Sequence, residues 1–348
     1  MSRRLRPAAA ATLGVLSLGA CTTGPAGSPS AAHSPAPSSS VSPAATPTTG
    51  SRPGTRTGTR TGTPPALTTR VLPWRLPQPL SRSVALRYGG PRTALLAGGL
   101  GAGDRSTDEV LRIDLGTGAT RRAGRLVDPL HDSAGAVLAG RPTVVGGGGA
   151  AELDAVEQLR HGGWRVVGHL PGARSDLSVA STAAGLLVIG GYDGVHTPRA
   201  VLRTPDGARF VRAGRLPLGV RYAGVVRTGR WVWVLGGEVA GRELDEVLRV
   251  DTRTGRVRRV GRLPRPLGHE AVAAVAGRLL VMGGRTAPAT VTDRMAWFDP
   301  GTHRWRRAGR LPYPVADAPT VAVGHHVYLL GGETPGFTAH VSEVSWSG

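Results

Sequence analysis

Apolar residues in this chain come in runs of four to seven, too short for helices and repeatedly closed by glycine. Six of the runs end in a glycine pair, from Leu95-Leu96-Ala97-Gly98-Gly99 and Leu187-Val188-Ile189-Gly190-Gly191 to Tyr328-Leu329-Leu330-Gly331-Gly332. The first glycines, Gly98, Gly146, Gly190, Gly236, Gly283 and Gly331, are spaced by 48, 44, 46, 47 and 48 residues. A second marker keeps the same register: a leucine, most often after Gly-Arg and before Pro, at Leu76, Leu126, Leu170, Leu216, Leu263 and Leu311. Two markers in phase six times define a repeat, and the period governs every local assignment.

Each repeat divides into four short strands. In the fourth, these are predicted over Ala223 to Arg227, Trp231 to Leu235, Glu246 to Val250 and Arg256 to Val260. Thr228-Gly229-Arg230 supplies a hairpin glycine between the first two, and Asp251-Thr252-Arg253-Thr254-Gly255 the turn chemistry between the last two. Four strands in a period in the forties make a propeller blade, so residues 68–348 are predicted to form an all-β, six-bladed β-propeller. The chain enters this region with a fourth-strand sequence, Thr69 to Trp74, and leaves it with a third-strand sequence, His340 to Trp346. The N-terminal strand is therefore expected to close the last blade.

Composition agrees. The 52 Gly and 28 Pro among 348 residues are more than helix interiors absorb, and suit many strands joined by turns. All 43 basic residues are Arg, and neither Lys nor Asn occurs, a bias that GC-rich coding produces on its own; the net charge of +20 therefore says little about partners. Cys21 is the single cysteine, which excludes an intrachain disulfide and a multi-Cys metal site. It follows a basic start (Arg3, Arg4, Arg6), an apolar run from Ala8 to Gly19 too short to span a bilayer, and Leu18-Gly19-Ala20.

That segment resembles a bacterial lipoprotein signal, in which a leucine stands three residues before a cysteine that becomes the lipidated first residue. The resemblance implies a signal peptide over residues 1–20, a lipid on Cys21 and a mature protein held on the extracytoplasmic face of the membrane. An ordinary cleaved signal is the other reading. Ser2-Arg3-Arg4 hints at twin-arginine export, Leu5-Arg6 departs from it, and the route stays open. Residues 21–67 are rich in Ser, Pro, Thr, Ala and Gly and lack apolar periodicity, as expected of a disordered tether. Six arginines and no acidic residue precede residue 68, so the tether could touch anionic headgroups while the rest of the chain carries +14.

The glycine pairs, the Asp downstream of them and the aromatics Trp164, Phe210 and Trp305 together resemble kelch repeats. Thr120 and Val257 depart from the aromatic position, which is expected to loosen those blades. In a propeller, the segments after the marker leucine and after the glycine pair share one face. Six residues beyond each leucine stand Arg82, Asp132, Asp176, Tyr222, His269 and Asp317, a polar column expected to ring the mouth of the central channel, where kelch domains as a family contact ligands. With the adjacent His131, Arg221 and Glu270 these form the candidate ligand site. The second loops carry Tyr192, Asp193, Glu238, Arg285, Glu333 and Phe337, each read as a surface residue, Phe337 as an exposed aromatic.

Signatures of catalysis are weak. Nucleophile-elbow, zinc-helix and phosphate-loop motifs are missing, and the glycines at Gly98–Gly103 and Gly146–Gly149 fall in blade register with no helix after them. No loop has calcium spacing, and His325-His326 reads as a solvated turn, so neither metal nor cofactor is expected. A kelch-type copper oxidase needs a Cys–Tyr crosslink that Cys21 cannot supply. Exposed arginines such as Arg121, Arg258 and Arg306 belong to different blades and form no stripe, which disfavours nucleic acid. The expected function is a lipid-anchored binding module of the cell envelope, holding a glycan, peptide or protein partner at the channel mouth. The alternative is a sugar-processing enzyme resembling bacterial kelch-type sialic acid mutarotases, with His269, Glu270, Arg221 and the Asp column as acid–base players.

Overall fold

The computed structural model describes residues 63–347; the signal segment, Cys21 and nearly all of the tether lie outside the described residues. From Leu67 onward the chain forms six antiparallel blades around an axis. In blade four the strands are Gly224–Thr228, Trp231–Leu235, Arg242–Asp251 and Val257–Leu267, from axis to rim. The third and fourth strands thus extend well beyond their apolar runs. The six innermost strands each pack against the next around the ring, the last against the first.

Closure is as the repeat implied. In blade six, Thr320–Val323, His326–Leu330 and His340–Trp346 are joined at the rim by Leu67–Arg75, antiparallel, with Leu67 opposite Trp346 and Arg75 opposite His340. Sealing the ring with its two chain ends gives blade six its fourth strand, so His340–Trp346 is not left as an open outer edge.

The core is distributed as six apolar clusters, one in each interface between neighbouring blades. Second strands are covered on both faces, which is why Trp231–Leu235 reads as a continuous apolar run although a one-sided strand would alternate. All six marker leucines are buried in these interfaces.

The two sequence markers turn out to touch each other. After each marker leucine the chain crosses to the next blade, and the carbonyl two residues before the polar column accepts a hydrogen bond from the second glycine of a pair, as Leu267 O does from Gly237 N at 2.8 Å and Leu80 O from Gly332 N at 2.9 Å. The first glycine must then be bare: a Cβ on Gly236, whose φ is +51°, would lie 2.0 Å from the Leu267 carbonyl oxygen. The glycine pair is a clamp on the crossover, and the crossover carries the polar column.

Candidate functional site at the channel mouth

Arg82, Asp132, Asp176, Tyr222, His269 and Asp317 all adopt left-handed backbone, with φ between +49° and +60°. This conformation costs an Arg, Tyr or His roughly 1–2 kcal/mol and an Asp less. What holds them there is a closed backbone ring. Each N–H donates to the carbonyl of the column residue one blade back: Asp132 to Arg82, Asp176 to Asp132, Tyr222 to Asp176, His269 to Tyr222, Asp317 to His269 and Arg82 to Asp317, at 2.8–3.1 Å. The residue before each column member bridges to the residue after a glycine pair, for example Arg221 to Glu238, Gly268 to Arg285 and Ala316 to Glu333.

The column side chains interlock across the axis. Arg82 Nη1 reaches Asp132 Oδ2 at 3.0 Å and, from the opposite side of the ring, the Tyr222 hydroxyl at 3.2 Å; its Nε donates to Glu333 Oε1 at 2.7 Å. The Tyr222 ring stacks on His269 with centroids 3.9 Å apart. His269 is fixed at both nitrogens, Nδ1 2.7 Å from Asp317 Oδ1 and Nε2 3.4 Å from Glu238 Oε2. Arg221 donates through Nη2 to Glu238 Oε1 at 2.6 Å and through Nη1 to Asp176 Oδ2 at 3.3 Å, and Arg285 bridges Asp317 and Glu333.

Protonation follows from this packing. Burial pulls the His269 imidazole down, but the Asp317 carboxylate and Glu238 outweigh it and hold the ring cationic up to about 9. Glu238 falls to about 2, chiefly through its hydrogen bond with His269 and then through Arg221. Asp132 and Asp176 move the other way, since burial favours their neutral forms more than Arg82 and Arg221 favour the charged ones. Burial, then Asp132 and Asp176, raise the Tyr222 hydroxyl, so it remains a neutral phenol. Glu270 is pushed up to about 8 by burial; its Oε1 accepts the Gly224 N–H at 3.0 Å, while its enclosed Oε2 has no partner among the described residues.

Beside the ring lies a cavity of about 220 Å³ whose wall includes Ser83, Ser133, Ser178, Glu270 and the column. It is smaller than the roughly 300–1,000 Å³ of small-molecule pockets, so a sugar-sized ligand needs Arg82 and Tyr222 to part or else sits above them. Among the described residues no set of His, Cys, Asp and Glu is arranged to hold a metal ion.

All nine candidate residues come to one end of the axis. His131 lies at its edge, Nδ1 2.8 Å from Ser106 Oγ and Nε2 3.6 Å from Asp132, with burial lowering its basicity. The second-loop expectation needs correction. Glu238 and Glu333 are buried and Arg285 is partly buried, because the bridge after each glycine pair turns those side chains towards the ring. Tyr192 is half-buried with the Arg221 guanidinium over its ring, whereas exposed Asp193 only caps its own turn. Phe337 is half-buried, paired through its backbone with Glu333. His326 is likewise no free turn residue, since Nδ1 meets the buried Glu343 at 2.8 Å. The legible signal for Glu238, Arg285 and Glu333 was their shared place directly after Gly-Gly.

Residues 266–312 match the Kelch motif family, spanning the end of the crossover into blade five and all four strands of that blade. No curated protein matches the chain. The solved structure of YjhT is similar over 78% of this chain and 95% of that one, with a TM-score of 0.67 and 16% identity, a likeness of fold. The chain is thus a six-bladed β-propeller, one repeat of which matches the Kelch motif.

Proposed function

We propose that the protein is a lipid-anchored, extracytoplasmic binding module of the cell envelope that holds a glycan, peptide or protein partner at the channel mouth. The observation that carries this reading is the contact of Arg82 with Tyr222 across the axis, within a ring of charges that partner one another. For a ligand seated above Arg82 and Tyr222 such a mouth is preorganised: its donors and acceptors are held before the ligand arrives, so little ordering entropy remains to oppose binding. Arg221, Arg285 and Arg82 keep 27%, 20% and 18% of their side chains exposed and are the groups a ligand's hydroxyl, carbonyl or carboxylate oxygens would meet first. Anchoring rests on the Leu18-Gly19-Ala20-Cys21 motif; the tether would hold the propeller some tens of Å from the membrane, at about 5–6 Å times the square root of its length.

The test is a thermal-shift screen of the full chain against sugars, peptidoglycan fragments and envelope peptides, repeated with Arg221→Ala and Arg82→Ala. A compound that raises the melting temperature of wild type by several degrees and leaves both variants unmoved supports the mouth as the site. Equal shifts in all three proteins refute it.

One observation favours the second reading, a sugar-processing enzyme. Glu270, a neutral carboxyl near pH 7, and cationic His269 share one cavity wall, the acid and the charge that ring opening and closure of a sugar would use. Its test is anomer exchange followed by proton NMR with Glu270→Gln as control, and exchange at the uncatalysed rate in both proteins refutes it.

A further inference from the structure

Six blades allow one position to be compared six times within a single chain. Two residues before each first glycine, the second strand pairs with a third-strand residue that faces the preceding blade. That residue is Leu111, Leu202 and Leu248 in blades one, three and four, Glu157 in blade two, Ser342 in blade six and Ala296 in blade five. Each leucine lies in an interface core. Glu157 spans the gap to the Val127 N–H at 2.8 Å, and half-buried Tyr313 lies against the small Ser342. In blade five neither device operates. Ala296 is small, and the position of Tyr313, two residues after the marker leucine, is occupied by exposed Arg265. What remains is a cleft of about 360 Å³ between blades four and five, reaching an apolar floor of Leu263, Leu267, Val281, Met295, Ala296 and Trp305.

The rim of this cleft departs from the repeat in charge as well. In blades one and four the third strand sets Glu109 against Arg122 and Glu246 against Arg259. The residue whose carbonyl bonds the first glycine is Glu109 in blade one, Glu246 in blade four and Arg294 in blade five. Arg294 therefore stands where the acid would be, and Arg307, the counterpart of Arg122 and Arg259, has no carboxylate at that position. The neighbouring Asp293 is held by Arg310 at 2.7 Å. Among the described residues Arg265, Arg294, Arg306 and Arg307 make no ion pair, and all four line the cleft and are exposed. The equivalent opening between blades six and one, about 370 Å³, has Gln78, Asp108, Glu109, Arg122 and Arg125 on its walls and no apolar floor.

An apolar slot beneath four unneutralised guanidinium groups has the shape and charge of a site for an anion with a hydrocarbon tail. We propose that the cleft between blades four and five binds a single-chain anionic amphiphile of the fatty-carboxylate class, its chain on the floor and its head group among the arginines. The site is separate from the channel mouth and does not depend on what the mouth holds.

The test is calorimetric titration of the full chain with monomeric decanoate, alongside decyl maltoside and decyltrimethylammonium as neutral and cationic probes with the same chain. Saturable one-to-one binding of decanoate is expected, at least tenfold tighter than either control. Ala296→Leu installs the residue that blades one, three and four carry and is expected to abolish it. Arg294→Glu restores the acid of blades one and four and is expected to weaken it at least tenfold without lowering the melting temperature. Should Ala296→Leu lose the wild-type circular dichroism, Ala296→Val replaces it. No saturable binding, equal binding of the three probes, or decanoate binding unchanged by filling the cleft each overturn the proposal. Binding to anionic vesicles but not to monomeric decanoate overturns it in favour of a membrane-facing surface.

Discussion

Glu270 provides a pH-dependent test of the mouth that can be worked through in numbers. Its carboxyl is enclosed, with one oxygen on the Gly224 N–H and the other unpartnered, and burial lifts it from the ordinary 4.5 to about 8. A group raised in the folded state stabilises the fold fully below its unfolded value and loses that contribution as pH rises through the folded one. Between pH 6 and pH 9 about two pKa units of this linkage are lost, roughly 2–3 kcal/mol. At the roughly 2 °C per kcal/mol of a protein this large, the melting temperature should fall by about 5 °C from this group alone. Glu270→Gln keeps an oxygen for Gly224 and cannot ionise. The assay is thermal unfolding by circular dichroism at half-unit steps from pH 6 to pH 9 for both proteins. His269, held up to about 9, also loses stabilisation as pH rises in both proteins, so the difference between them reports Glu270 together with its charge coupling to His269. Wild type should lose about 5 °C more than the variant; superimposable curves, or a steeper fall in the variant, refute a neutral buried carboxyl.

Two further predictions concern the fold. Deleting Leu67–Arg75 removes buried Leu72, strips Trp74 from the bare Gly118 it covers and takes Arg70 from the buried Glu343, while leaving His340–Trp346 with an open edge. One fully buried leucine is worth about 1.5–3 kcal/mol, and with the lost ladder the total approaches the roughly 5–15 kcal/mol that holds a domain; the melting temperature should drop by about 10 °C or more, and unfolding at the wild-type temperature would refute closure by this strand. Gly236→Ala places a Cβ 2.0 Å from the Leu267 carbonyl oxygen at a φ of +51°. Left-handed strain of about 1–2 kcal/mol plus the displaced crossover should lower urea-unfolding stability by at least about 2 kcal/mol, and a change under about 0.5 kcal/mol would show that the clamp is dispensable.

Much of the mouth was legible because the repeat carries position. Counting from the marker leucines located all six column residues, and the end strands showed where the ring closes. Glu238, Arg285 and Glu333 were misread because a charged residue after Gly-Gly looks like any loop residue until the loop's direction is known. Their burial depends on a left-handed column residue and a bridge that aims the loop at the axis, and neither leaves a compositional trace. Phe337 shows the converse: an aromatic between loop residues is half-buried because its short hairpin folds back on Glu333.

The period, the four-strand blade, the six-fold count, the closing strand and the ring of polar positions can all be read along the chain before it folds. These follow from local rules: glycine where a carbonyl crowds the backbone, leucine where two blades meet, turn residues between. The meeting of Arg82 and Tyr222 across the axis, the neutrality of Glu270 near pH 7, and the cationic cleft that Ala296 and Arg294 open in one interface arise from the folded ring. Those depend on desolvation and on distances between residues up to 140 positions apart, quantities that exist only once the ring has closed.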